Sequence, residues 1–387
     1  IPGYDPFPPR RYREFYRREG AEQAALSGYS LAIHPREGPG YGWQVTTRME
    51  APAEAEVEIL VWSDLVKGSM TLGVAGTYLL LLRTAWLYLA SGALFRLVRL
   101  RKGPMIAALY PAVGLILQAL VAVLAAALVL WLAAGLPWPL RWGLAGLLAW
   151  GVLEGFRRID RRLYVYYLMQ DYGFATLAGG AWPPELARRM DAFGQRLRAA
   201  LQSGVDEVLV VGHSSGVQIG VTILADLIRE GLAPKRPALG FLSLGQAVPM
   251  VSFLPGAKKL RGDLAYLSAR DELTWVDVSA PGDGASFALC DPVAVSGVAP
   301  AGQRWPLVIS AAFSQTLSPA RWARLKRRFF WLHFQYLFAF DNLSGGPGEY
   351  DYFRITAGPL TLAERFAGRA ASASRITRAL NSWRDMA

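Results

Sequence analysis

Hydrophobic and polar positions change rhythm twice along this chain of 387 residues, dividing it into 1–69, 70–163 and 164–387. In the first part, residues 10–26 read as a helix with Tyr12, Phe15 and Tyr16 on its apolar side. Residues 29–33 and 42–48 read as short strands and 57–62 as a buried one. The middle part is apolar. Residues 70–100 carry Arg83 near their centre, whereas 106–134 hold no charge over 29 positions, more than the ~20 a helix needs to cross a bilayer. A Gly-Leu-Pro-Trp-Pro turn at 135–139 leads into a shorter apolar run, 142–156, interrupted only by Glu154. The last part alternates again. Residues 183–202 form an amphipathic helix with Arg188, Arg189 and Arg196 on the polar side, and 207–211, 238–244, 273–278 and 306–310 read as strands. A basic helix is expected over 365–383. Strands alternating with helices predict an α/β fold, a mostly parallel sheet with helices on both faces, interrupted by a transmembrane helical insertion.

Charge gives the insertion a direction. Arg96, Arg99, Arg101 and Lys102 precede the 106–156 hairpin, Arg157, Arg158, Arg161 and Arg162 follow it, and the turn region carries only Arg141. Both ends are therefore expected in the cytoplasm, which for a bacterial chain means an inner-membrane protein. Strands on either side of the insertion are expected to join one sheet, and that requires an even number of crossings. An arginine at the bilayer centre costs ~2.5 kcal/mol or more, so 70–100 is expected to lie in the interface rather than span. The net charge of +11 and pI near 9.8 point to an anionic membrane surface and not to nucleic acid, because the arginines flank apolar segments. Cys290 is the one cysteine, which excludes an internal disulfide framework and a cysteine-rich metal site.

The chemistry concentrates at Gly212-His213-Ser214-Ser215-Gly216, behind the apolar run 208–211 and ahead of a helical stretch, 217–227. A G-x-S-x-G pattern between strand and helix leaves the serine exposed on a sharp turn, with glycines where a side chain would not fit. A nucleophilic serine needs a base and the base an orienting acid. Of three histidines, His213 lies inside the turn with its ring expected to point away, and His34 follows an early strand. His333 is the candidate base. Asp283, in the loop after the 273–278 strand, is the candidate acid, with Asp291 the alternative and Asp277 placed within the strand. The oxyanion donors are expected from the backbone of Ser215 and of Gly3 or Tyr4, with Arg10, Arg11 and Arg13 near the mouth.

At these residues the sequence resembles the α/β-hydrolase superfamily of serine esterases and lipases. The likeness rests on residues 212–216 in their strand-turn-helix setting and on the order Ser214, aspartate, His333. The chain departs from the pattern at Pro2-Gly3, where such enzymes usually show His-Gly, and the insertion has no counterpart in it. The resemblance implies an acyl-enzyme on Ser214, with no metal and no organic cofactor. Membrane anchoring adds the substrate class, a bilayer lipid ester cleaved by a lipase, phospholipase or deacylase. Acyl transfer to another acceptor and a non-catalytic membrane scaffold are the alternatives.

Overall fold

Four parallel strands lie side by side in chain order: β4 (Glu207–His213), β5 (Ala238–Leu244), β6 (Thr274–Ser279) and β7 (Leu307–Ser310). They belong to a computed structural model that describes residues 1–346 and 348–387. The register sets Gly212 beside Ser243, Ser243 beside Asp277 and Asp277 beside Val308, so the carboxyl ends of the strands come level. Apolar runs suit a sheet buried on both faces. Side chains then divide by the two-residue period of a strand. Val208, Val210, Leu239, Phe241 and Trp275 pack on the α9 (Pro184–Ala200) and α10 (Gly216–Arg229) side. Leu242, Leu244, Val276, Val278 and Ile309 face the other way.

That second face differs from expectation. It is covered by α1 (Arg10–Ser27), through Tyr12, Phe15 and Tyr16, and by a separate antiparallel sheet of β1 (Ser30–Pro35), β2 (Tyr41–Arg48) and β3 (Pro52–Ile59). The strand expected at 57–62 is therefore the end of β3 and does not enter the parallel sheet. Its alternation explains why: Glu54, Glu56 and Glu58 share one face of β3 and Ala55, Val57 and Ile59 the other, which suits a half-exposed antiparallel strand. The first three residues of the chain take the position beside β4 instead. The Ile1 amino group donates to Val211 O at 2.6 Å, and His213 N donates to Ile1 O at 3.1 Å.

Between β3 and α9 the chain forms α2 (Ser63–Ser69), α3 (Val74–Ala90), α4 (Ala93–Leu100), α5 (Lys102–Leu132), α6 (Trp138–Arg158), the single turn α7 (Asp160–Leu163) and α8 (Val165–Thr176). Among the described residues α5 is the one helix long and apolar enough to cross a membrane, with mean hydropathy 2.7 and only 17% of its most apolar stretch buried. α6 runs back along it. α2 and α3 meet at 102°, and Arg83 on α3 turns its guanidinium to Leu177 O.

The basic helix expected at 365–383 does not form. A short helix ends at Arg365, Gly368 turns the backbone with φ 72°, and the rest runs extended over the domain. Tertiary contacts override local propensity here. Ile376 N donates to Leu289 O, Asn381 Nδ2 donates to Ser252 O, and the fully buried Arg261 guanidinium binds Asp385.

Candidate active site

Ser214 sits between the last residue of β4 and the first of α10 with φ 56°, in the left-handed region. A non-glycine residue there costs on the order of 1–2 kcal/mol, so the surroundings must impose the bend. Ser214 N donates to Leu244 O at 2.9 Å, and Val217 N closes the turn on Ser214 O at 3.2 Å. A methyl group on Gly212 would lie 2.9 Å from Val217 Cα, and one on Gly216 would lie 2.3 Å from Ile1 O and 2.5 Å from Pro2 O. Both positions exclude any side chain. The backbone of Gly3 rests on the serine: a methyl there would be 2.9 Å from Ser214 Cβ and 3.5 Å from its Oγ. This approach is fixed from outside, by Trp62 Nε1 donating to Pro2 O at 3.0 Å and Tyr167 Oη donating to Tyr4 O at 2.8 Å. Among the described residues the amides of Gly3, Tyr4 and Ser215 make no hydrogen bond, which leaves donors free around the half-buried serine.

His333 lies on the helix Phe329–Phe334. Its Nδ1 is 2.8 Å from Asp283 Oδ2, and the same oxygen accepts from Tyr336 Oη at 3.0 Å. Asp283 Oδ1 accepts from Ala285 N at 2.9 Å. Burial alone would push this carboxyl up, but the His333 ring, its hydrogen bond and the two further donors outweigh burial and hold the pKa below the ordinary carboxylate value. An ionised Asp283 makes Nδ1 the protonated nitrogen of a neutral His333 and leaves Nε2 an acceptor.

The other candidates lie elsewhere or do other work. Asp291 caps the helix Pro292–Val295, accepting from Val293 N and Ala294 N at 3.0 Å, and also accepts from Gln303. Asp277 is buried in β6 against Ser243. His34 is exposed on β1, bonded to Thr46. His213 turns its ring to His333: the two imidazoles lie 4.7 Å apart, and His213 Nε2 donates to His333 O at 3.0 Å. Burial, then the neighbouring His333, lowers the His213 pKa to about 3, so it stays neutral. Ser214 Oγ makes no hydrogen bond among the described residues; the serine is tied to His333 through His213.

No family model matches this chain, and neither a curated protein nor a solved structure matches it. The chemistry rests on the site's own geometry: a hydroxyl on a strained turn, a carboxylate-oriented imidazole and free amides. Among the described residues no three metal-ligating side chains gather. A cleft of about 1310 Å³ between β4 and the antiparallel sheet is lined by Ile1, Pro2 and His213 but not by Ser214 or His333, and so lies behind the turn.

Sequence reasoning missed what the insertion contributes. Arg101 Nε donates to Ala288 O at 2.9 Å, and a methyl on Gly103 would lie 3.6 Å from Gly284 Cα, so the start of α5 abuts the Asp283 loop. Beyond α6, the Tyr164 ring packs tilted against Phe330 with centroids 4.6 Å apart, one turn from His333. On α8, Tyr167 and Phe174 pack on Tyr4, with ring centroids 6.3 and 5.6 Å away. Asp171, between them on the same helix face, is half-buried with no hydrogen-bond or ion-pair partner among the described residues. Burial raises its pKa to about 7, against the opposing pull of His333. A lone acid on an aromatic face just after an apolar hairpin was the available signal.

His213 and Asp171 have opposite effects on pH stability. The His213 pKa falls from 6.5 to about 3, so the unfolded chain takes up the proton first and stability is lost as pH falls below ~6.5. Thermal melts of His213→Phe should show a shallower loss between pH 7 and pH 4.5 than wild type; parallel losses would contradict a desolvated neutral ring. The Asp171 pKa rises from 3.8 to about 7, so its contribution is lost as pH rises across that window. The melting temperature of Asp171→Asn relative to wild type should climb between pH 5 and pH 8, and a constant gap would contradict the proposed desolvation.

Proposed function

We propose that this chain is a membrane-integrated serine hydrolase of α/β-hydrolase type that cleaves a lipid ester. The observation that carries the proposal is Ser214 at φ 56° on a strand-to-helix turn, joined through its neighbour His213 to a His333 whose Nδ1 is held by Asp283. The chain order of strand, serine, strand, aspartate and histidine supports it. In this mechanism Ser214 Oγ bonds to the ester carbonyl carbon while its proton passes to His333 Nε2. Asp283 stabilises the resulting imidazolium. The amides of Ser215 and of Gly3 or Tyr4 take the oxyanion, aided by the N-terminus of α10. The imidazolium then protonates the departing alkoxide, and water activated by His333 releases the acyl group. The residues present need no metal or organic cofactor for these steps.

Topology supports the membrane part. Chain before α5 and chain after α6 pack into the same cores, for Tyr4, Leu60 and Trp62 meet Val210 and Val217. Both ends of the insertion must therefore lie on one side, and a chain that crosses in α5 returns in α6. Arginines at both ends favour the cytoplasmic side, in a bacterial inner membrane. The Asp283 loop and the His333 helix touch the bases of this hairpin, so a lipid ester can reach Ser214 by lateral movement. Full extraction into water would cost ~0.8 kcal/mol per exposed CH₂.

A fluorophosphonate probe should label the detergent-solubilised wild type and leave Ser214→Ala unlabelled. Asp283→Asn, which favours the wrong tautomer, should slow hydrolysis of a lipid ester by roughly 10³–10⁴-fold. Labelling unaffected by Ser214→Ala would move the nucleophile away from Ser214, and no labelling of folded protein would leave a non-catalytic scaffold. A dependence of product on an added alcohol acceptor, followed with labelled phospholipid, would move the assignment to acyl transfer. For topology, cysteines at Pro137 and Lys259 should react with an impermeant maleimide from opposite sides of the membrane. The native Cys290 gives no background, since it is fully buried and burial pushes its thiol pKa up to about 12. Labelling from one side only would overturn the hairpin.

A further inference from the structure

The helix that carries His333 is preceded by four cations in five residues, Arg324, Lys326, Arg327 and Arg328, all exposed. None makes an ion pair among the described residues, whereas Arg321, just before them, is paired with Glu19 and Glu22. Immediately after the cations come two exposed aromatics, Phe329 and Trp331, 36% and 41% accessible. Cations beside exposed aromatic rings is the composition of a surface that meets headgroups with its charges and the acyl boundary with its rings.

Position gives the composition its meaning. Phe329 lies 3.5 Å from where a methyl on Gly284 would be, and Gly284 abuts Gly103 at the start of α5. Phe330 packs against Tyr164, which follows Arg161 and Arg162 in the turn after α6. Arg161, Arg162, Arg99 and Lys102 are likewise exposed and without ion pairs among the described residues. Three chain segments thus bring eight unpaired cations together around the bases of the hairpin and the loops that hold Asp283 and His333. Of the acids next to them in sequence, Asp160 accepts from Tyr166 N and Tyr167 N and Glu154 binds Arg157 and Arg158. Among the described residues no acid forms an ion pair with any of the eight, so the complement of the patch is external and negative.

We propose that Arg324–Trp331, with Arg99, Lys102, Arg161 and Arg162, is a docking collar for anionic phospholipid headgroups of the leaflet from which α5 enters the bilayer. The collar seats Phe329 in the acyl boundary and sets the mouth of the Ser214 site against the lipid surface. This rests on α5 crossing the membrane, as above, and adds the lipid charge that the protein requires. Other anionic polymers fit worse: the cations converge on the ends of apolar helices and form no groove. Loss of one such residue weakens attachment to an anionic surface about fivefold.

The test uses the intact chain in nanodiscs of phosphatidylcholine alone or with one-third phosphatidylglycerol. A polarity-sensitive dye on Phe329→Cys should report an apolar environment only in the anionic discs, and high salt should reverse the change. Lys326→Glu/Arg327→Glu/Arg328→Glu in the same background should abolish it, with a thermal melt confirming that the variant is folded. Hydrolysis of a lipid ester in anionic discs should fall roughly tenfold or more in that variant. An apolar dye in both lipids, or in neither, overturns the collar. Fluorophosphonate labelling of Ser214 is scored separately: labelling without a lipid-dependent dye signal removes the collar and leaves the hydrolase, and a dye signal without labelling does the reverse.

Discussion

A backbone held at φ 56° on a serine is a strained element, and the cost is met by packing on every side of it. The bend survives because its neighbours leave it no alternative. Glycine at 212 lets the start of α10 approach the strand, glycine at 216 lets Ile1 and Pro2 lie across the helix end, and Leu244 O holds the serine amide. The segment that presses on Gly216 also brings Gly3 against Ser214, so the constraint that strains the serine also builds the wall opposite it. The level carboxyl ends of β4, β5 and β6 then deliver the Asp283 loop to the same edge, and the imidazole needs only one carboxylate to fix its tautomer.

The helices between β3 and β4 pack into the site itself. Tyr88 on α3 reaches Met250 O, Leu97 and Leu100 on α4 pack with Phe253 and Phe287, and Arg101 holds Ala288 O. After the hairpin, α8 returns to support Tyr4. The segments that hold Asp283, His333 and Tyr4 are thus each braced by chain that enters or leaves the apolar hairpin. A fragment lacking 70–163 would lose the braces from Tyr88, Leu97, Leu100 and Arg101 and keep the one from α8.

How much was legible depended on how local the cause was. The turn at Ser214 was readable because two glycines and an apolar strand state their reason within ten residues, and His333 because three histidines leave few choices. β3 was misplaced because Val57 and Ile59 look like a buried strand until the glutamates between them are given weight. Ile1–Gly3 carries too few residues for any period, so its place beside β4 could not be seen. The tail beyond Arg365 has the alanines and arginines of a helix, yet long-range partners such as Leu289 O, Ser252 O and the Arg261 guanidinium hold it extended. Asp171 was hidden for the same reason: its meaning comes from Tyr4 and His333, which reach it from opposite ends of the chain.

The hydrogen bond from His213 to the His333 carbonyl has a further consequence for the second letter of the serine motif. Whenever His333 takes up a proton, whatever occupies position 213 lies 4.7 Å from the new cation with little water between them. A lysine or arginine there would repel it and oppose proton uptake, and an apolar residue would leave the carbonyl without its donor. An imidazole that refuses its own charge does neither: it donates one proton to the backbone and leaves the like-charge position empty.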